Sequence, residues 1–490
     1  MTGRHGSPRP HPRGFQRGRA RSRILRQRHG RRTGRADRQI RAARGRRGAA
    51  VLDAGEERVG TVTGPRFATL AVRGSYDHEE AASNRGSLSE PAYLATAQHF
   101  DSAETMRATA AGEREGWVYA RRGNPTVGHL EDTVAALEGY QVDAEVSAAV
   151  TTTGMAAITL ATSSFLSTAV GAKPNIVASP ACYGSTVMVF DKRYGDERGV
   201  SVRWVDDPLS LDAWERNVDE DTRFLFAESP SNPMVQLVDI PALAALAHRA
   251  QIPLIIDATL ATPALMRPLA LGADIVVHSL TKAAGASGRS MGGAVIARHD
   301  LRFRGQPTQM TADFAGYLRR GPMRDMGSVL SPFNAWTLLA DIRELRARVD
   351  TMSTSALRVA EYLADRGDVA EVFYPGLPSH RTHHLAKRDM WLVDSGGPGR
   401  DAVNRFGFLL GFRPAGGVPA AHRVLDRLDL VWRANNLGQV KSTATIPAIG
   451  THQQIAGDAP VPPDMIRLSV GLEHADDIIE DLAQALDQRS

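Results

Sequence analysis

The strongest constraint on the fold is a pattern that recurs between residues 144 and 280. Short, branched apolar runs ("AEVSAAV", "KPNIVASP", "VSVRWVDD", "TRFLFAESP", "IPLIIDAT", "ADIVVHSL") alternate with stretches of helical spacing. The runs are short, end at turn residues and are rich in valine and isoleucine, which marks strands rather than helices. Helical spacing instead marks "VGHLEDTVAALEGY", the segment opening at Gly154, and "IPALAALAHRAQ". Strands separated by helices predict right-handed crossovers and a mainly parallel sheet covered on both faces. In such sheets, ligands gather at the carboxyl ends of the strands.

The flanks read differently. "FATLAVRGSYD" and "EPAYLATAQHF" read as an extended N-terminal arm, giving an arm over 66–125 and an α/β domain over 126–320. From about Gly321 a long helical region precedes "RFGFLLGF", "LDLVWRA" and "DMIRLSVGLE", strands of a smaller C-terminal α/β domain over 321–490 that closes on the helix "ADDIIEDLAQALDQ". Neither GxGxxG nor a P-loop is present, so "GASGRSMGG" is no nucleotide fingerprint.

Charge is divided unevenly. Residues 1–50 hold 17 arginines and a single acid, Asp37, which leaves the other 440 residues at −11 although the chain totals +5. High like charge with few apolar residues predicts a disordered extension over residues 1–65. Upstream sequence ahead of a true start near residues 58–66 is the simplest reading of it. The alternatives are an organellar leader, which it matches in arginine but not in serine, and a nucleic-acid-binding tail. The acidic body argues against nucleic acid as the main partner. The single cysteine, Cys182, excludes an internal disulfide and a cysteine metal cage, and beside Tyr183 it reads as packing. No apolar run is long enough to span a membrane, so a cytoplasmic protein is expected.

Lysine is the scarce residue: five against 54 arginines. Asp257 ends the strand "IPLIIDAT", and Lys282 stands just past the end of the next, "ADIVVHSL", so a parallel sheet brings both to one edge. An amine there can form a Schiff base with an aldehyde cofactor, and a nearby carboxylate can keep a pyridinium nitrogen protonated. That is the minimal requirement for pyridoxal phosphate as an electron sink. Ser279 and Thr281 offer hydroxyls to a phosphate, and Gly154 and Met155 offer free N–H groups at a helix N-terminus. Taken singly, Lys282 reads as a solvated loop residue and Asp257 as a helix cap. Their combination favours the cofactor.

With these residues in view, the chain resembles the pyridoxal-phosphate enzymes of cysteine and methionine metabolism: cystathionine γ-synthase, the cystathionine and methionine γ-lyases, and the O-acylhomoserine sulfhydrylases. "VYARRGNPTVGHLEDTVAALEG", "TTGMAA", "CYGST", "ESPSNP", "IIDATLATP", "HSLTK", "LSPFNAW" and "RLSVGLE" stand in family order from about Phe67 to the C-terminus. The resemblance implies fold type I, similar to aspartate aminotransferase, with a large mainly parallel sheet domain and a smaller α/β domain. It implies that Lys282 carries pyridoxal 5'-phosphate, Asp257 faces the ring nitrogen, and Ser279, Thr281, Gly154 and Met155 hold the phosphate. Tyr183 then stacks on the ring and assists proton transfer. Tyr119 and Arg121 reach a neighbouring subunit's phosphate, so a homodimer or homotetramer is implied. Arg467 grips the substrate carboxylate, with Ser442 nearby.

Implied too is the chemistry. Displaced from the cofactor by a substrate amine, Lys282 removes the α-proton, and a second deprotonation at Cβ lets a γ-leaving group depart. Within the family, Gly285, Gly288, Ser290, Gly292 and Gly293 resemble the sulfhydrylase loop, with Ser287 and Arg289 where histidine and threonine usually stand. Lys441 leans the same way. "ESPSNP" and "YARRGNPT" lean toward the cystathionine branch, and Thr443 and Ile446 depart from both. Expected, then, is γ-replacement on an O-acylhomoserine by sulfide or a thiol, with a γ-lyase or cystathionine γ-synthase as the alternative. His380, His383 and His384 have spacings a metal could use, but they resemble structural histidines of the family, and no metal is expected.

Overall fold

The computed structural model describes residues 64–166, 173–299, 301, 303–396, 401–450 and 461–487. Residues 1–63, on which nearly all of the arginine-rich extension falls, lie outside the described residues. The apolar runs form strands β1 (Val146–Thr151), β2 (Asn175–Ala178), β3 (Ser201–Trp204), β4 (Thr222–Glu228), β5 (Leu254–Asp257) and β6 (Ile275–His278). One further strand, β7 (Gly293–Arg298), completes a seven-stranded sheet of order β1-β7-β6-β5-β4-β2-β3. Strands β2 to β6 pair in parallel, whereas β7 runs antiparallel to both β1 and β6.

Successive side chains of these strands enter opposite cores, which is why the runs are continuously apolar instead of alternating. Leu225, Leu254, Ile256 and Val276 pack on one face with Leu130, Val134 and Leu137 of the helix Pro125–Glu138. Phe224, Phe226, Ile255 and Val277 pack on the other with Ile158 and Leu160 of the helix Gly154–Ser163. Local signals set the helix starts. Asn124 accepts from the Thr126 N–H ahead of Pro125, Thr153 accepts from the Ala156 N–H, and Asp239 accepts from the Ala242 N–H to begin Ile240–Arg249.

A second, five-stranded sheet has the order β10-β11-β12-β9-β8, from β8 (Val369–Phe373), β9 (Leu409–Pro414), β10 (Trp432–Arg433), β11 (Thr443–Thr445) and β12 (Ile466–Ser469). Leu410, Phe412, Ile466 and Leu468 pack with Val359 and Leu363 of the helix Leu345–Ala364 and with Ile478 and Leu482 of Ala475–Leu486. The arm differs from the extended segment expected. Phe67–Arg73, His78–Ser83 and Ala103–Ala111 are helices, with Asp77 and Ser102 as N-caps of the last two. The spacing of Phe67, Leu70 and Ala71 buries one helical face, and the Phe67 ring lies edge-on to Tyr140 at 5.8 Å. The stretches 84–102 and 112–124 stay largely irregular, joined by one isolated bridge from Ala97 to Tyr119.

Candidate active site

Adjacent parallel strands place Glu228 opposite Asp257, and Asp257 opposite Val277. Beyond their carboxyl ends lies a cavity of about 240 Å³. Gly154, Met155, Tyr183, Asp257, Ser279, Thr281, Lys282 and Arg467 all line it. Residues more than 300 positions apart therefore meet at one sheet edge. A larger cavity, about 620 Å³, opens elsewhere, beside Trp117, Arg122, Glu131 and Arg319, and none of the sequence-predicted site residues lines it.

Lys282 leaves the end of β6 after a tight turn in which its own N–H donates to the Ser279 carbonyl at 3.1 Å. Its ammonium nitrogen donates to Asn436 Oδ1 at 2.9 Å, a neutral acceptor. Burial lowers the amine's pKa from 10.5 to about 8, and the nearby Arg467 cation adds to the effect. The following loop is tied down rather than loose. Thr281 Oγ1 donates to the Gly292 carbonyl and accepts from the Gly292 N–H, while Ser287 Oγ donates to Asp341 Oδ2 at 2.6 Å.

Asp257 is buried, and its Oδ1 accepts from both the N–H and the hydroxyl of Thr259, at 3.0 and 2.6 Å. That hydroxyl also accepts the Ser279 N–H at 2.8 Å, so one threonine aligns the carboxylate and the phosphate-side serine. Burial raises the Asp257 pKa, opposed by Thr259. Glu228 is pushed well above the usual carboxylate range, first by burial and then by the Asp257 charge.

Close approach explains Gly154. A Cβ there would stand 2.6 Å from the Ser279 Cβ and 2.8 Å from its Oγ, so only glycine lets the helix N-terminus and the β6 turn share one cradle. Gly293 serves the same crossing, since a Cβ there would lie 2.3 Å from the Thr153 carbonyl oxygen.

Arg467 comes from β12 in the second sheet and is 1% exposed. Its guanidinium donates to Asn232 Oδ1 and to the Asn436 carbonyl, both at 3.1 Å, and its Nε has no hydrogen-bond partner among the described residues. Burial brings its pKa down to about 10. A buried cation held by neutral oxygens at a cavity wall suits a ligand carboxylate.

Three sequence-predicted residues are not on the cavity. Ser442 is fully buried, donating its hydroxyl to Glu473 Oε2 and accepting the Gly471 N–H, so it secures β11 to the chain after β12. Tyr119 is 45% exposed on the arm. Arg121 lies 5.8 Å from the Tyr119 ring centroid and donates to the Arg324 carbonyl. Conversely, Glu228, Asn232 and Thr259 line the cavity although sequence reasoning passed over them. Glu228 carried a usable signal, ending "TRFLFAE" as Asp257 ends its own strand. Cys182 is buried among apolar side chains, its thiol pKa raised by burial and by Glu228. His380 and His383 hydrogen-bond the carbonyls of Met234 and Pro375.

Across residues 68–487 the sequence matches the Cys/Met metabolism PLP-dependent enzyme family. The chain belongs to that family. Its relatives include an O-succinylhomoserine sulfhydrylase of Pseudomonas aeruginosa, 38% identical over 86% of this chain and 96% of the relative. An L-methionine gamma-lyase of Fusobacterium nucleatum is 34% identical over 82% of this chain and 94% of its own length. Among solved structures, a Campylobacter jejuni protein carrying N'-pyridoxyl-lysine-5'-monophosphate superposes with a TM-score of 0.76. It is 31% identical and is covered over 86% of this chain and 99% of its own. The protein is thus a fold-type I, pyridoxal-phosphate-dependent enzyme.

The side chains fit this family's cofactor on independent grounds. A lysine of lowered basicity, a buried carboxylate and a cradle that a single Cβ would fill line one cavity.

Proposed function

We propose that this enzyme catalyses γ-replacement on an O-acylhomoserine, with sulfide or a small thiol as nucleophile. Carrying the reading is Lys282, an amine of lowered basicity in the same cavity as the buried Asp257 carboxylate and the Arg467 guanidinium, whose acceptors are all neutral among the described residues. When bound, pyridoxal phosphate supplies an aldehyde that condenses with amines and a ring that accepts electrons. Asp257 accepts the N–H of a protonated ring nitrogen, with Thr259 fixing its orientation. Gly154 and Met155 direct N–H groups to the phosphate, and Ser279 and Thr281 bring their hydroxyls to the same end. Arg467 fixes the substrate α-carboxylate and thereby points the α-hydrogen at Lys282. With a pKa of about 8, Lys282 is sufficiently neutral near physiological pH to take that proton. Tyr183 assists proton transfer at the leaving group.

Tyr119 and Arg121, exposed and away from this chain's cavity, suit a role in a neighbouring subunit's site. The arm 66–125 then completes a site formed by 126–320 and 321–490 in a cytoplasmic homodimer or homotetramer. Among the described residues, no helix is long and apolar enough to cross a membrane. The Fusobacterium relative supports γ-elimination as the second reading. Incubating the purified protein with O-acetyl- or O-succinylhomoserine plus sulfide separates the two. Homocysteine is expected, and oxobutyrate from methionine without any acceptor would overturn the first reading.

A further inference from the structure

Of the two carboxylates that line the cavity, Glu228 is the one that the proposed chemistry leaves unused. It ends β4, next to Asp257 on β5, and only 5% of it is exposed. A buried carboxylate of this kind ordinarily pairs with a cation. Among the described residues, the hydrogen bonds to Glu228 come instead from two backbone N–H groups: Tyr183 to Oε2 at 2.7 Å and Asn232 to Oε1 at 2.8 Å. Each donor belongs to a residue that lines the cavity. Asn232 goes on to accept Arg467 Nη1 through its side chain, Arg467 Nη2 donates to the Asn436 carbonyl, and Asn436 Oδ1 receives the Lys282 amine. One carboxylate therefore stands at the head of a hydrogen-bond chain ending at the reactive amine, with a branch to Tyr183.

From this geometry we infer that Glu228 is a positioning residue, which sets the Tyr183 ring and, through Asn232, the Arg467 guanidinium for an amino-acid carboxylate. The inference rests on the proposed reading of the site. Acceptor count and side-chain length both matter. Two N–H donors converge on two oxygens, and a glutamine offers only one acceptor while turning its NH₂ against the other donor. Substituting Glu228→Gln thus removes one anchor while keeping the volume. Aspartate is one methylene shorter and does not span both donors.

The test uses the cofactor-loaded protein and L-norvaline, an amino acid that lacks a γ-leaving group. Its binding is followed through the change in cofactor absorbance, a readout that needs no turnover. Glu228→Gln is expected to weaken norvaline binding at least tenfold and to raise KM for the acyl substrate more than it lowers kcat. In combination with Arg467→Lys, its effect on norvaline binding is expected to be largely lost, because both act on one guanidinium. A folded Glu228→Gln protein with norvaline affinity within twofold of the parent, or with effects multiplying independently of Arg467→Lys, would overturn the inference. Should Glu228→Gln fail to fold, Asn232→Ala carries the test, since it keeps the N–H to Glu228 and removes the amide oxygen to which Arg467 donates. Weakened norvaline binding with an unchanged resting spectrum supports the chain, and unchanged binding overturns it. If the parent protein takes up no pyridoxal phosphate, the reading of the site fails and this inference with it, an outcome separate from a failure of Glu228 alone.

Discussion

Replacing Lys282 with methionine should make the cofactor-free protein more stable. Lys282 titrates near 8 in the folded chain against 10.5 for a free side chain, chiefly because burial penalises its charge. At about 1.4 kcal/mol per pH unit, this withholds about 3 kcal/mol of folding free energy at neutral pH. Methionine fills a similar volume, and the lost hydrogen bond to Asn436 offsets about 1 kcal/mol. Asn436 Oδ1 is not left unpaired, because it also accepts the Leu437 N–H at 2.9 Å. The net expectation is a gain of about 2 kcal/mol at pH 7. Its pH dependence follows from the depressed folded pKa. Below about 8 the unfavourable charge is fully present. As pH rises from there to 10.5 the unfolded chain binds the extra proton, so the parent gains stability and the variant's advantage fades. Urea unfolding of both cofactor-free proteins at pH 7 and pH 10.5 measures this. No gain at pH 7, or a gain that persists undiminished at pH 10.5, would refute the reasoning.

The same amine should show its pKa in its chemistry. Condensation of pyridoxal phosphate with the cofactor-free protein, followed by stopped-flow absorbance, should accelerate about tenfold per pH unit and level off near 8, whereas a plateau near 10.5 would mean an ordinary lysine. Gly154→Ala should cost about 1–3 kcal/mol of stability, because its Cβ meets Ser279 at 2.6 Å, and equilibrium dialysis should find pyridoxal phosphate held at least tenfold more weakly. Asp257→Asn should leave the protein folded and able to bind the cofactor while lowering kcat by about 100-fold, since a neutral amide no longer favours a protonated ring nitrogen. Steady-state kinetics beside a retained spectrum would check it.

Much of this site is legible in the sequence because strand ends are legible. The runs "IPLIIDAT" and "ADIVVHSL" stop at Asp257 and just before Lys282, and parallel pairing does the rest. Strand β7 escaped notice because it follows directly on "GRSMGG", whose glycines read as loop. The smallness of Gly293 instead admits the Thr153 carbonyl beside the strand. Strands β8 and β11 were missed for another reason: Val369–Phe373 is interrupted by the exposed Ala370 and Glu371, and Thr443–Thr445 is three residues long, so neither leaves an apolar run. Ser442 shows a limit of local reading. Nothing near it in the chain says that its hydroxyl turns to Glu473, 31 residues away, while Lys441 lies 5.0 Å from the Trp432 ring centroid. Asn436 and Thr259 are tied to the site through partners distant in sequence, Lys282 and Ser279, which no local pattern announces.

The account turns on Lys282 as the covalent anchor of the cofactor, and reductive trapping tests this most directly. The protein loaded with pyridoxal phosphate is treated with borohydride, digested and mapped by mass spectrometry. A pyridoxyl group on the peptide containing Lys282, and its loss in Lys282→Met, is the expected result. A pyridoxyl group on Lys173, Lys192, Lys387 or Lys441 with Lys282 unmodified would contradict the account.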